Sequence, residues 1–170
     1  HLSLTDDGLM EGGMSSGSRD SEGVPSRTQS IVESGRLKGE LWATRDAAKS
    51  VAEGNVESAE STGSASRGGH TSPPLCGCND LILSSSSKTL DRDRLIQEMD
   101  NGYIVHSVMG AHTANPTSGD FSVTTSTILK VEGGSVVGAL SQAGLSGNLA
   151  KALSGRVILG DSSIRKGSYS

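Results

Sequence analysis

The stretch Phe121–Val131, FSVTTSTILKV, decides the fold. Phe121, Val123, Thr125, Thr127, Leu129 and Val131 occupy every second position, the period of a β-strand that turns one face to a core. Glu132-Gly133-Gly134 follows as a turn, and Val136 to Leu140 returns, so an antiparallel hairpin is expected here. Just before it, Gly110 to Gly119 is a polar loop containing Pro116, and Gly102 to Met109 (GYIVHSVM) is another strand. After it, Leu145, Leu149 and Leu153 recur every fourth residue and predict a helix with one apolar stripe, capped by Ser146 and stopped by Gly155. Val157 to Leu159 then predicts a last short strand.

The first half is patterned less regularly. Residues 1–26 are acidic and rich in Gly and Ser, and are expected to be irregular. Arg27 to Glu33 (RTQSIVE) reads as a strand, Ser34-Gly35 as a turn, and Leu37 to Ala43 as its partner, with Leu37, Gly39, Leu41 and Ala43 on one face. Asp46 to Ala52 predicts a short helix with Thr44 as its cap. Gly54 to Asn79, which contains STGSASRGGH and Ser72-Pro73-Pro74, reads as a long loop. Asp80 to Leu83 is a short strand, and Thr89 caps a helix over Leu90 to Met99. The expected fold is α+β, a mainly antiparallel sheet or barrel-like domain with two or three short helices and long Gly/Ser-rich loops.

Composition narrows the function classes. A net charge of −4 offers no basic surface for nucleic acid. No apolar run approaches the length of a membrane span, and no signal peptide is visible. Aromatics make up only 2% (Trp42, Tyr103, Phe121 and Tyr169), so the core must come from Leu, Ile, Val and Ala, or surface must be buried against a neighbour. Two cysteines, Cys76 and Cys78, are too few for a secreted disulfide framework, and a cytoplasmic protein is expected. His1 reads as the edge of a fragment.

Few residues suggest chemistry of their own. His70, Cys76 and Cys78 are three nominal zinc donors, but Cys-x-Cys alone is a weak signal, and two reduced thiols in a loop are the ordinary reading. His106 reads as a hydrogen-bonded strand residue and His112 as a solvated one in a loop. A nucleophile pair of Cys78 and His112 requires a proximity that the sequence does not give. No His-Glu-x-x-His helix, nucleophile elbow or phosphate loop occurs. Asp6-Asp7 reads as a solvated turn, and Asp20 with Glu22 as an acidic turn. Asp120 reads either as the cap of a loop-to-strand junction or as part of a loop lining a cleft.

Five segments, in order, resemble the C-terminal half of the TldD/PmbA family. They are Leu4-Thr-Asp-Asp7; Asp20-Ser-Glu-Gly-Val-Pro-Ser26 with Gly35-Arg-Leu37, Leu41 and Arg45-Asp46-Ala47-Ala48; Ser61-Thr-Gly63, Arg67, Ser72-Pro73-Pro74 and Asn79; Gly102-Tyr-Ile-Val, Met109-Gly110, Asn115 and Thr117-Ser118-Gly119-Asp120-Phe121-Ser122; and Gly144 to Leu153. The resemblance covers nearly the whole chain. It implies that residues 1–170 are a single domain, the C-terminal part of a larger two-domain protein.

The family's TldD-type members carry a His-Glu-x-x-x-His helix and a later cysteine as zinc ligands, while TldE/PmbA-type members lack them and pair with TldD-type chains. The old family label is modulator of DNA gyrase, and peptide processing is the better attested role. TldD-type chains have Cys-Gly-Lys shortly after a turn similar to Gly160-Asp161; here Ser162-Ser-Ile164 follows. The resemblance therefore implies a TldE-type subunit with no catalytic, cofactor-binding or metal-ligating residue in this chain, and zinc in the partner subunit. The implied partners are a TldD-type catalytic subunit and, through the complex, peptide or unfolded protein; neither nucleic acid nor membrane is expected, and assembly with copies of itself stays open. The same resemblance makes Asn115, Thr117, Gly119, Asp120 and Ser122 the candidate cleft or partner loop. Two alternatives remain: a catalytic TldD-type chain with its zinc helix upstream, and a binding module unrelated to proteolysis.

Overall fold

The computed structural model describes residues 1–162. Among the described residues the sheets are antiparallel, the three α-helices are short and no barrel closes, so the fold is α+β. The chain divides into two compact units, one over His1–Ser86 and one beginning at Ser87.

The first unit is organised by β1 (Leu2–Asp7), in the region expected to be irregular. Strand β1 lies between β2 (Thr28–Glu33) and β6 (Leu81–Ser85), and β3 (Arg36–Leu37) flanks β2, giving the order β3-β2-β1-β6. The signal for β1 is short because its stability comes from both neighbours. Leu4 is paired with Val32 on one side and Leu83 on the other. A register shift interrupts the pairing between Leu4 and Thr5 on the β2 side.

The predicted turn at Ser34-Gly35 is present. Both residues have positive φ, 50° and 81°, the geometry that a two-residue antiparallel turn requires. The returning strand is much shorter than expected, ending at Leu37 rather than continuing to Ala43.

The helix α1 (Thr44–Ala52) buries Ala43, Ala47 and Ser50, spaced four and three apart on one face. Thr44 is its first residue and not its cap. Ala43 holds the cap position without a side-chain bond, and Glu22 supplies the acceptor instead: its Oε2 receives the Thr44 N–H and hydroxyl, both at 2.8 Å. A carboxylate at a helix start also opposes the helix dipole favourably.

The long loop over 54–79 is not uniformly loose. Thr62, Gly63, Ser64 and Ala65 are buried, and β4 (Ala65–Ser66) pairs with β5 (Leu75–Cys76). Small side chains allow this segment to lie close under its neighbours. A Cβ on Gly63 would stand 2.4 Å from the Pro25 carbonyl oxygen.

In the second unit the predicted hairpin is the frame. Strand β8 (Asp120–Glu132) is central between β7 (Gly102–Val105) and β9 (Ser135–Asn148). Gly133 and Gly134 turn it with φ of 55° and 70°. Val123, Thr125 and Val131 are buried on the predicted face, and Ile128, on the other, is buried as well, between Val105 and Leu140 in the ladder. Strand β7 stops at Val105, so His106 is an exposed residue beyond the strand.

The predicted Leu145–Leu153 helix begins as strand, through Asn148. Leu145 lies opposite Val123, and only α3 (Leu149–Ser154) is helical, capped by Asn148 rather than Ser146. Gly144 and Gly147 disfavour helix, and the ladder to Asp120–Thr125 gives their backbone groups partners. Gly155 does close the helix, in an extended conformation.

The helix α2 (Arg92–Met99) starts later than expected, and Asp91 caps it in place of Thr89 by accepting the Arg94 N–H at 2.8 Å. No strand forms at Val157–Leu159. The segment meets the rest of the unit through the Leu90–Gly160 bridge and the Leu90 N–H donated to the Leu159 carbonyl.

Candidate functional site

The loop singled out by sequence is a closed set of hydrogen bonds. The Asn115 side-chain oxygen accepts the N–H groups of Thr117 and Ser118, at 2.9 and 3.1 Å. The Asn115 N–H donates to the Asp120 carbonyl, and the Gly119 N–H to the Asn115 carbonyl. Gly119 has φ of +74°, a conformation that glycine adopts without strain. Ser118 donates its hydroxyl to Asp120 Oδ2 at 2.7 Å.

The sequence missed Asn148, which locks this loop. Its amide nitrogen donates to the Ser118 carbonyl and to Asp120 Oδ1, both at 2.8 Å, while its oxygen accepts the Lys151 N–H at 3.1 Å and so caps α3. One side chain thus ties the loop, the end of β9 and the start of a helix. The pairing of Asp120 with Asn148 at the open end of the β8–β9 ladder brings them together. The bond from Asn148, followed by that from Ser118, holds the Asp120 carboxyl below the usual range.

The structure places Asn115, Thr117, Gly119 and Asp120 together in this turn. Ser122 stands just outside it, in β8 opposite Ser146. Asn115, Thr117, Asp120 and Ser122 are exposed, so they are available for contact. The Asp120 carboxylate bonds the Ser118 and Asn148 side chains and not backbone N–H groups, which are instead accepted by Asn115.

A second polar centre lies in the first unit. Asp6 was expected in a solvated turn, yet it is fully buried in β1, with Asn79 and Ser64 set against its carboxylate. Asp6 Oδ1 accepts the Asn79 N–H at 2.7 Å and Oδ2 accepts the Asn79 amide at 3.0 Å, with the Ser64 hydroxyl at 3.5 Å. Burial raises the Asp6 carboxyl above its usual value, against the lowering effect of these bonds. Asp20 does form its expected turn, accepting the N–H groups of Glu22 and Val24, and reaches further to accept the Ala65 N–H at 3.1 Å.

Beside these groups is a polar cavity of about 400 Å³ lined by Arg19, Asp20, Ser64, Cys78 and Asn79 among others. The pairing of Asp6 with Asn79 has no local sequence signal. Both are polar residues in segments without periodicity, 73 positions apart.

Among the described residues, no three His, Cys, Asp or Glu groups are placed to hold a metal ion. His70, Cys76 and Cys78 are exposed and do not form such a set. Cys78 and His112 fall in different units. Among the same residues, no helix is long and apolar enough to cross a membrane.

Comparison with known proteins gives a consistent result. The model of the PmbA/TldA metallopeptidase C-terminal domain matches residues 1–169. An uncharacterised protein of Methanocaldococcus jannaschii, MJ0231, is 32% identical over 123 residues, covering 72% of this chain and 26% of that protein. The crystal structure of TldE from Thermococcus kodakarensis is similar at 28% identity with a TM-score of 0.72, covering 88% of this chain and 32% of that one. A candidate modulator of DNA gyrase from Thermotoga maritima is similar at 31% identity with a TM-score of 0.75, covering 94% and 34%. The chain thus spans between a quarter and about a third of the length of these relatives.

Proposed function

The chain belongs to the PmbA/TldA metallopeptidase C-terminal domain family, and from that premise we propose that it is the C-terminal part of a TldE/PmbA-like subunit that holds no catalytic zinc. In this reading it works beside a TldD-type subunit that carries the metal, on peptide or unfolded protein, in the cytoplasm. The observation that carries the choice of subtype is the residue sequence after Gly160-Asp161. Ser162-Ser163-Ile164 stands where TldD-type chains have a ligand cysteine, and from Ser163 onward it lies outside the described residues.

The loop Asn115–Ser122 is tied by the Asn148 side chain at Ser118 and Asp120 and leaves Asn115, Thr117, Asp120 and Ser122 exposed, which supports a surface that meets a partner or lines a shared cleft.

The test is the zinc content and peptidase activity of the full-length protein, alone and mixed with a TldD-type subunit. The expected result is no stoichiometric zinc and no turnover alone, with turnover in the mixture. Stoichiometric zinc accompanied by turnover in the isolated protein overturns the proposal.

A further inference from the structure

We propose that Cys76-Gly77-Cys78 is a reversible thiol–disulfide site, in which Cys78 reacts first with a small disulfide entering the neighbouring polar cavity and Cys76 then closes the intramolecular bond. The inference rests on the different placement of two thiols only two residues apart, and is independent of the peptidase reading.

Cys78 lines the cavity, with Arg19, Asp20, Ser64 and Asn79 around it. The volume of about 400 Å³ admits a small organic disulfide's sulfur end. Cys76 is not among the residues lining the cavity and closes β5 opposite Ala65. Its sulfur lies beside the start of α1, where the Ala43 backbone bonds it. Burial, helped by the Asp46, Asp6 and Cys78 charges, raises the Cys76 thiol above its usual value. The thiolate is the attacking form, so Cys76 is the poorer first nucleophile. Both cysteines are free and both residues are exposed.

The bond requires the chain to shorten: in fully extended backbone, residues two apart have Cα atoms about 6.6 Å apart, at the upper limit for a disulfide, and here β5 ends at Cys76, so Gly77 and Cys78 lie outside the strand. Gly77 sits at the point where the chain must shorten, and its N–H donates to the Ser64 carbonyl at 2.8 Å. Closing the ring strains that bond, which makes the disulfide readily reducible.

The chemistry balances with a low-molecular-weight disulfide as oxidant. The Cys78 thiolate attacks one sulfur of the oxidant, its S–S bond breaks, and one thiolate leaves. The Cys76 thiolate then attacks Cys78 Sγ, the mixed disulfide breaks, and the second thiolate leaves. Two cysteine protons end on the two released thiolates, two cysteine sulfurs are oxidised, and the oxidant's two sulfurs are reduced.

The experiment exposes the full-length protein, and its Cys76→Ser and Cys78→Ser variants, to oxidised glutathione, then quenches by alkylation and maps the peptide bearing both residues. The expected wild-type product is the Cys76–Cys78 disulfide, reversed by reduced glutathione. Cys76→Ser is expected to accumulate glutathione on Cys78, and Cys78→Ser to react at Cys76 measurably more slowly. An absence of intramolecular disulfide in the wild type, or equal reaction rates of the two variants, overturns the proposal. Circular dichroism of each variant distinguishes a lost reaction from a lost fold.

Discussion

Asp6 and Asn79 are joined by two hydrogen bonds through both carboxylate oxygens, one from the Asn79 backbone and one from its side chain. The pair links β1 to the chain just after Cys78, and it does so in the interior of the unit, where Asp6 has no exposed surface. A carboxylate so placed is stabilising only while its donors are present. Without it, the Asn79 donors and the Ser64 hydroxyl lose their acceptor.

Replacement of Asp6 is therefore expected to divide by chemistry. Asp6→Ala leaves these donors without their acceptor and should cost about 3 kcal/mol. Asp6→Asn keeps one acceptor oxygen, removes the buried charge, and should cost less than Asp6→Ala. Urea unfolding of the full-length protein measures both. Equal losses in the two variants would contradict the assignment of the network.

The pH dependence carries a definite sign. The folded-state carboxyl of Asp6 is raised above 3.8, chiefly by burial. The folded state then holds this proton to higher pH than the unfolded chain, so the group's contribution to stability declines as pH rises from about 3.8 through the raised value and is constant above it. Stability of the wild type relative to Asp6→Asn should fall across that window. A difference that rises with pH instead would show that the hydrogen bonds outweigh burial.

The hairpin around β8 was legible because its information is local: alternating residues and a Glu-Gly-Gly turn specify it within one stretch. The strand β1 was not, since Leu2–Asp7 becomes a strand by pairing with residues 28–32 and 81–85. Distance also hid the acceptor at α1, where Glu22 serves from 22 positions away. Asn148 caps α3 locally, but only because β9 continues through the glycines that precede it. At the site, the sequence found the loop residues but not the side chain that holds them.

Two glycines with similar φ should respond differently to alanine. Gly119 has φ of +74°, and an added Cβ would meet nothing closer than 3.7 Å, so Gly119→Ala carries only backbone strain. That strain is roughly 1–2 kcal/mol. Gly63 has φ of +71° and a Cβ there would meet the Pro25 carbonyl oxygen at 2.4 Å, so Gly63→Ala adds a backbone collision. The unfolding midpoint of Gly63→Ala should therefore lie well below that of Gly119→Ala, with an unchanged slope in both.

Asn148→Ala tests whether one side chain governs both loop and helix. Removing its oxygen deprives α3 of its cap, a loss of about 1 kcal/mol in a short helix. Removing its nitrogen frees Asp120 Oδ1 and the Ser118 carbonyl. The Asp120 carboxyl, depressed first by Asn148 and second by Ser118, should then titrate closer to 3.8 but not reach it, because the Ser118 bond remains. The linked stability in the wild type is present above the unfolded value and is lost as pH falls through the depressed one, and this acid-side loss should shrink in the variant. Carboxyl NMR titration of Asp120 reads the shift directly. An unchanged Asp120 titration in Asn148→Ala would show that Ser118 alone sets it, and that Asn148 acts on the helix without ordering the loop.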